Sequence, residues 1–448
     1  MSILIKGGQI VNEGVVKYAD IYIKNGRIEK IDDDISASSV DAGDLEIIDA
    51  TGLHVLPGMI DDQVHFREPG LVHKGTIASE SRAAAAGGIT SVMEMPNVKP
   101  ATIDLAALEA KYDIAAKGCA TNYAFYLGAT NDNVVEIKRF PVNAACGVKV
   151  FMGASTGSLL VNDPKALEQI FANCPVLIAT HCEDTPTITE NEARFRAQYG
   201  DEIPIQHHPE IRSEEACYLS SSYAVELAKK QGANLHVLHL TTEKELALFE
   251  KGPIEGKQIT AEVCVHHLYF SQEDYEEKGS FIKCNPAIKR PSDRAALLQA
   301  VIDDRIDIIA TDHAPHTLAE KQQSSYFKAP AGLPLVQHAL ISALEYVHNK
   351  QLTLPQLVQK IAHNVAIRYQ VKERGYLREG YWADLALVDL TQSQTITRES
   401  VLCHCGWSPF EGRPFQSTVS HTLVNGVVVY ERQRGLIDYI GSRLEFDR

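Results

Sequence analysis

Five polar residues stand in, or just past, short apolar runs, and together they carry the donor types of a divalent-metal site. His65 ends Ile60-Asp61-Asp62-Gln63-Val64-His65, His181 ends Leu177-Ile178-Ala179-Thr180-His181, and His239 ends His236-Val237-Leu238-His239. Asp312 follows Ile309-Ala310-Thr311, and Lys149 interrupts Gly147-Val148-Lys149-Val150-Phe151-Met152. Imidazole and carboxylate are ligands of zinc-like cations. Taken one at a time, each His has an ordinary alternative as a core or surface side chain. A Lys within an apolar strand loses hydration unless it is neutralised or paired. Lys149 therefore reads equally well as a site residue or as the partner of a carboxylate on a neighbouring strand. What favours a site is the recurrence of all five at successive strand ends. Other histidines read more weakly. His207-His208 lies in a polar connection and is expected to be solvated, His266-His267 follows the strand expected over 260–265 and could flank the site, and His404 falls outside the central region. Cys182 and Cys264 adjoin the site runs and read as small buried hydrophobes.

Strand ends converge only if something gathers them, and the alternation of the chain supplies it. From about Leu56 to about Gln370, apolar runs such as Ile89-Thr90-Ser91-Val92-Met93 and Ile306-Asp307-Ile308-Ile309-Ala310 alternate with helical stretches such as Ala83–Ala86, Ala166–Phe171, Tyr223–Lys230 and Ala295–Ile302. Repeated strand–helix units over such a length imply an α/β fold, a (β/α)8 TIM barrel whose chemistry sits at the C-terminal strand ends. A Rossmann sheet is the alternative, but no Gly-x-Gly-x-x-Gly follows the first strand. The two ends of the chain differ from its middle. Ile21–Lys24 and Arg27–Ile31 flank Asn25-Gly26, and Thr422–Val424 and Val427–Tyr430 flank Asn425-Gly426. Asn-Gly between alternating runs signals a type I′ hairpin. Because a sheet of two or three strands is barely stable, both termini are expected to share one small β-sandwich. The expected division is residues 1–55 plus 371–448 for the sandwich and 56–370 for the barrel.

Composition removes several function classes. The 448 residues carry 43 basic and 58 acidic side chains, a net charge of −15. That balance argues against a nucleic-acid partner, and an anionic ligand would have to be held by local Arg or Lys. No apolar run approaches the length of a membrane span. The opening MSILIKGGQIVNEG reads as a strand rather than a signal peptide. Nine scattered Cys, with no paired framework, fit free thiols in a reducing cytosol.

From Gly-Leu-His-Val-Leu-Pro-Gly-Met-Ile-Asp (52–61) to Gly-Tyr-Trp-Ala-Asp-Leu-Ala-Leu-Val-Asp (380–389) the chain resembles the amidohydrolase superfamily, within it the cyclic amidohydrolases, and among these the dihydroorotases. The resemblance implies reversible, metal-dependent hydrolysis of the cyclic amide of dihydroorotate, or cyclisation of N-carbamoyl-L-aspartate, in UMP biosynthesis. It also implies one or two zinc ions. His65 matches the second residue of a His-x-His pair, Lys149 in GVKVFMGASTG a carboxylated lysine, His181 and His239 two further ligands, and Asp312 in TDHAPH a ligand that is also the catalytic acid–base. Gln63 departs from the pattern by standing where the first His of the pair belongs. It leaves one metal with Lys149, His181 and His239 and weakens the other, which keeps His65, Lys149 and Asp312.

Arg67, in His65-Phe66-Arg67-Glu68-Pro69-Gly70, matches the arginine with which, as the resemblance implies, dihydroorotases grip the ring carboxylate. A guanidinium fork matches that group, although an ion pair with Glu68 or Glu94 would also explain it. Asn97 and His316 match further carboxylate ligands, and Asn285 matches a residue near the pyrimidine ring. Gly153–Ser158 and the stretch around Ala331-Gly332 are the loops expected over the substrate. A hydantoinase- or allantoinase-like activity, and a non-catalytic scaffold that assembles with a transcarbamoylase, are the alternatives. The expected partner is the small-molecule substrate, with no nucleic acid and no membrane; a homo-oligomer is left open.

Overall fold

Eight short parallel strands gather the middle of the chain. They are β1 (Met59–Val64), β2 (Ile89–Glu94), β3 (Asn122–Phe125, continued by Leu127–Gly128), β4 (Val148–Phe151), β5 (Ile178–His181), β6 (Leu235–Val237), β7 (Ile259–Cys264) and β8 (Ile308–Ala310). The structure is a computed structural model that describes residues 2–40, 43–154 and 157–448. Neighbours pair in parallel from β1 to β8. The ring closes where Val64 lies opposite His313 and the His65 N–H donates to the His313 carbonyl at 2.7 Å. The strands are buried on both faces, which is why they read as apolar runs rather than as alternation. One apolar cluster, including Ile60, Met93, Ala124, Tyr126, Ala179, Leu238 and Ile308, fills the inside of the barrel. A larger one packs the outer faces of the strands against the helices.

The helices begin at recognisable signals. Thr76 caps Ile77–Ala86 by accepting the Ser79 N–H in a capping box, and Asp163 caps Pro164–Asn173 with proline in its first turn. No helix among the described residues is long and apolar enough to cross a membrane.

Strands from both ends of the chain form one nine-stranded sheet. Leu385–Asp389 from the C-terminal part pairs with His54–Pro57 from the N-terminal part, and Ser2–Asn12 continues the sheet beyond it. The Asn-Gly turns are as the sequence implies: Asn25 and Gly26 have φ of 53° and 80°, and Asn425 and Gly426 have 48° and 72°. Both central residues are left-handed, as a type I′ turn requires. Ile3, Ile5, Ile21, Ile23, Val55, Leu385 and Leu423 share an aliphatic core. The mixed α/β architecture, a TIM barrel with a separate sheet built from both termini, is therefore the observed fold. The last residues leave the sheet. Gly441 N–H donates to the Cys119 carbonyl, Arg443 lies beside Tyr123, and Leu444 and Phe446 close the end of the barrel where its strands begin.

Barrel and sheet are fastened by a buried polar knot. Arg374 pairs with Asp384, whose carboxylate also accepts from Asn122 Nδ2 at 3.1 Å and from the Asn425 N–H at 2.7 Å. This is the Asp of the Gly-Tyr-Trp-Ala-Asp stretch. Removing one partner of such a pair strands the other charge. Arg374→Ala is expected to cost about 3–5 kcal/mol, whereas Arg378→Ala, which breaks the half-exposed pair with Glu13, should cost at most about 1 kcal/mol. Urea midpoints of the two variants check this; equal losses would refute it.

Candidate active site

The C-terminal strand ends surround a cavity of about 100 Å³ lined by Gln63, His65, Arg67, Asn97, Lys149, Phe151, Ala154, His181, His239, Asn285, Asp312, Ala314, Ala331 and Gly332. Eight of the nine residues singled out in the sequence meet there, and His316 stands directly behind Arg67. A larger groove of about 800 Å³ beside Met152, Leu167 and Tyr223 holds none of them. Four of the cavity's non-glycine residues sit on left-handed backbone: Arg67 (φ 70°), Ala154 (φ 52°), His239 (φ 40°) and Asp312 (φ 53°). Non-glycine residues are held there only when their surroundings over-determine them, and such strain gathers at functional sites.

His181 is oriented from behind. Its Nε2 lies 2.8 Å from Glu183 Oε2, and its Nδ1 lies 2.9 Å from His239 Nε2. Burial pushes the Glu183 carboxyl up, but Arg212 and His181 together hold it down at about 2. An ionised Glu183 accepts the Nε2–H, which leaves His181 Nδ1 bare and makes it accept from His239. The remaining nitrogen, His239 Nδ1, is buried and has no hydrogen-bond partner among the described residues. Glu262 Oε1 fixes the strained backbone by accepting the His239 N–H at 3.2 Å. Across the cavity, His65 Nδ1 lies 2.7 Å from Asn97 Oδ1, and its Nε2 lies 3.0 Å from Asp312 Oδ1. Asn97 takes the Nδ1–H, so two lone pairs face each other at the second contact. Gln63 Nε2 donates to the same Asp312 oxygen at 3.1 Å.

Lys149 is fully buried and its ammonium makes no hydrogen bond among the described residues; it lies 4.7 Å from the Phe151 ring. Burial lowers it to about 8. The alternative reading of Lys149 as half of an ion pair is not what the structure has. These features test whether the residues fit a divalent cation. An orphaned imidazole nitrogen, an unpaired amine and two facing lone pairs all line the same cavity, and each is relieved by a cation. A carboxylate behind a ligating imidazole is also the usual support of such sites. The donor set fits.

Arg67 is buried and lowered to about 10 by that burial. Its Nε donates to the Pro315 carbonyl at 3.0 Å, and its Nη2 lies 3.2 Å from His316 Nε2. Among the described residues no carboxylate comes within ion-pair distance of it. Glu94 is taken by Lys111 and by the Phe66 N–H, and Glu68 accepts the Ile77 N–H. Lys74, unremarked in the sequence, places its ammonium 3.1 Å from His316 Nδ1 and 3.1 Å from Glu320. His316 Nδ1 must therefore accept, and Nε2 carries the proton, donating to the Ala331 carbonyl at 3.0 Å. The stretch around Ala331-Gly332 is held by Lys321, whose ammonium donates to the carbonyls of Pro330 and Gly332 at 2.9 and 3.0 Å. Of the other expected loop, Ala154 lines the cavity, and Ser155 and Thr156 lie outside the described residues.

One expectation is corrected. His208 is not solvated; it is fully buried, bonded through Nδ1 to the Tyr326 hydroxyl (2.8 Å) and through Nε2 to the Cys284 carbonyl (2.7 Å). A polar local sequence hid a contact made 118 residues away. Lys74 and Glu262 were missed because they meet His316 and His239 across 242 and 23 residues, whereas Glu183, two places after His181, was a readable signal that was passed over.

The profile of the amidohydrolase family matches residues 54–429. The chain is 32% identical to a dihydroorotase of Staphylococcus epidermidis, over 96% of this chain and 100% of that one. It is 29% identical to an allantoinase of Bacillus velezensis, over 96% and 94%. It superposes on the L-hydantoinase of Arthrobacter aurescens with a TM-score of 0.92 at 26% identity, covering 99% of each chain.

Proposed function

Because the chain belongs to the amidohydrolase family, we propose that it is a dihydroorotase, opening the cyclic amide of dihydroorotate and closing N-carbamoyl-L-aspartate in the cytoplasmic route to UMP. The observation that carries this reading is Arg67: a buried guanidinium with no carboxylate partner among the described residues, at the rim of the cavity that holds Lys149, His181, His239 and Asp312. An unpaired buried cation is costly, and a substrate carboxylate is the partner that cost calls for. The second reading, an allantoinase- or hydantoinase-like activity, is favoured by the similarity to those enzymes. Neither allantoin nor a simple hydantoin brings a carboxylate to Arg67.

The divalent cations, expected to be zinc, would be held by His65, Lys149, His181, His239 and Asp312. When bound, they supply an acidified water and a Lewis acid for the amide carbonyl. Lys149 is suited to carboxylation because burial favours its neutral amine. The amine nitrogen attacks CO2, releases one proton and becomes a carbamate anion, which turns a buried cation into a ligand. Arg67, Asn97 and His316, whose Nε2–H would turn from the Ala331 carbonyl to the substrate, would grip the ring carboxylate, with Asn285 against the ring. Asp312 would accept the proton of the attacking water and return it to the departing ring nitrogen. Turnover of dihydroorotate, hydantoin and allantoin, measured beside metal content, tests the reading. A preference for either uncarboxylated ring would overturn it.

Lys74 sets which nitrogen of His316 donates. Lys74→Met is expected to raise KM for dihydroorotate about tenfold with little change in kcat, the loss of roughly one hydrogen bond in the ground and transition states alike. An unchanged KM would remove Lys74 from the account.

A further inference from the structure

Just below the Gln63 side of the cavity lies a cluster that the proposed reaction does not use. β7 ends at Cys264, and the next residues form a short helix, Val265–Tyr269, that carries His266 and His267. All three side chains are buried, and one ligand atom from each lies within 4.8 Å of the others. The two rings sit with centroids 3.9 Å apart. His267 Nε2 lies 3.1 Å from the Pro286 carbonyl, which fixes the proton on Nε2 and leaves Nδ1 as a bare lone pair. Among the described residues that Nδ1 has no hydrogen-bond partner, and His266, one of whose ring nitrogens turns toward the Thr311 backbone, completes no well-aligned hydrogen bond. Buried polar atoms are nearly always satisfied, and two bare imidazole nitrogens beside one thiol are an exception that needs a cause. Burial, reinforced by His267, keeps His266 well below the usual histidine range, so the ring is neutral, with one N–H and one bare nitrogen. Cys264 Sγ in turn lies 3.6 Å from Gln63 Oε1. Gln63 thus turns its amide nitrogen to Asp312 and its carbonyl oxygen to the thiol.

We propose that Cys264, His266 and His267, with the Gln63 carbonyl oxygen as a fourth donor, bind a thiophilic divalent cation of the zinc class at a site separate from the one around Lys149. One sulfur, two imidazole nitrogens and one amide oxygen suit zinc, cobalt or cadmium and do not suit magnesium or calcium. Binding exchanges the thiol proton for the cation: the S–H bond breaks, the proton leaves to water, and a thiolate–metal bond forms. The ion fixes the Gln63 amide in the orientation that donates to Asp312.

The site around Lys149, His181, His239 and Asp312 contains no sulfur, so thiolate ligation is a signature of the new site that needs no substrate. Metal-free protein titrated with Co2+ is expected to develop a thiolate-to-metal charge-transfer band in the near ultraviolet within the first two equivalents. Cys264→Ser should abolish the band and lower zinc content by one equivalent, His266→Asn should weaken it, and His181→Asn should leave it in place. Zinc X-ray absorption of the unaltered protein should show a sulfur scatterer at about 2.3 Å. That measurement decides the matter even where a variant fails to fold. Metal uptake with no sulfur signal, or a band that survives Cys264→Ser, would overturn the proposal. Dihydroorotate turnover is read separately, so either idea can fail alone.

Discussion

Arg67→Ala is expected to lower kcat/KM for dihydroorotate by about a thousandfold while leaving metal content and the weaker hydrolysis of uncarboxylated rings unchanged. Arg67 already donates its Nε proton to the Pro315 carbonyl, so the guanidinium is oriented before substrate arrives and little ordering is lost on binding. Each hydrogen bond between charged groups contributes about 1.5–3 kcal/mol, and a two-pronged grip would therefore supply roughly 3–6 kcal/mol, or about 10²–10⁴ in rate at subsaturating substrate. The stability effect has the opposite sign from most buried truncations. Because no protein carboxylate pairs with Arg67, its removal strands no charge, and it deletes a buried cation lowered to about 10 by desolvation. The urea midpoint is expected to hold or rise. Arg67→Lys separates charge from geometry: a point charge cannot reproduce the fork, so it should recover less than a tenth of the lost activity. If hydantoin turnover fell as far as dihydroorotate turnover, Arg67 would be supporting the cavity and not reading the substrate.

What could be read from the residues, and what could not, divides along a physical line. His65, His181, His239 and Asp312 were visible because parallel strands buried on both faces make apolar runs, and a polar residue at the end of such a run has few reasons to be there. Gln63 was visible as a departure, but its consequence was not. Which way its amide turns is decided by Asp312 and Cys264, 249 and 201 residues distant. The same separation concealed Lys74, whose ammonium meets His316 across 242 residues, and made His208 look solvated when it packs under Tyr326. Backbone conformation was the other hidden variable. Nothing in the types Arg, His and Asp announces a left-handed φ at 67, 239 and 312, yet those turns are what swing the three side chains inward. The Asn-Gly turns, where residue type and φ agree, were legible for the converse reason. Local chemistry was readable where it decides the structure, and unreadable where a distant contact decides it.

Asp312→Asn is the variant expected to leave a folded protein with almost no activity. Asp312 Oδ1 accepts from Gln63 Nε2 at 3.1 Å, and the bare His65 Nε2 faces it at 3.0 Å. Asn keeps the volume and an acceptor oxygen, so the Gln63 contact survives and the stability change should stay within about 1 kcal/mol, as for most isosteric changes outside the core. What is lost is basicity, since an amide cannot take a proton from water near neutral pH or hand one to a departing ring nitrogen. A positioned general acid–base contributes about 10²–10⁴-fold. Here one residue serves both half-reactions and is also expected to be a ligand, so kcat should fall by at least about a thousandfold. The Arg67 grip is untouched, and substrate affinity measured by calorimetry should change by less than about threefold, because hydrogen bonds to the ring carboxylate are made before the proton moves. Loss of kcat with retained affinity and retained fold is the pattern that a proton-transfer role predicts and that a merely structural role does not. An Asn variant that turned over within tenfold of the parent would show that the proton travels by another route, and Asp312 would then be left with ligation alone.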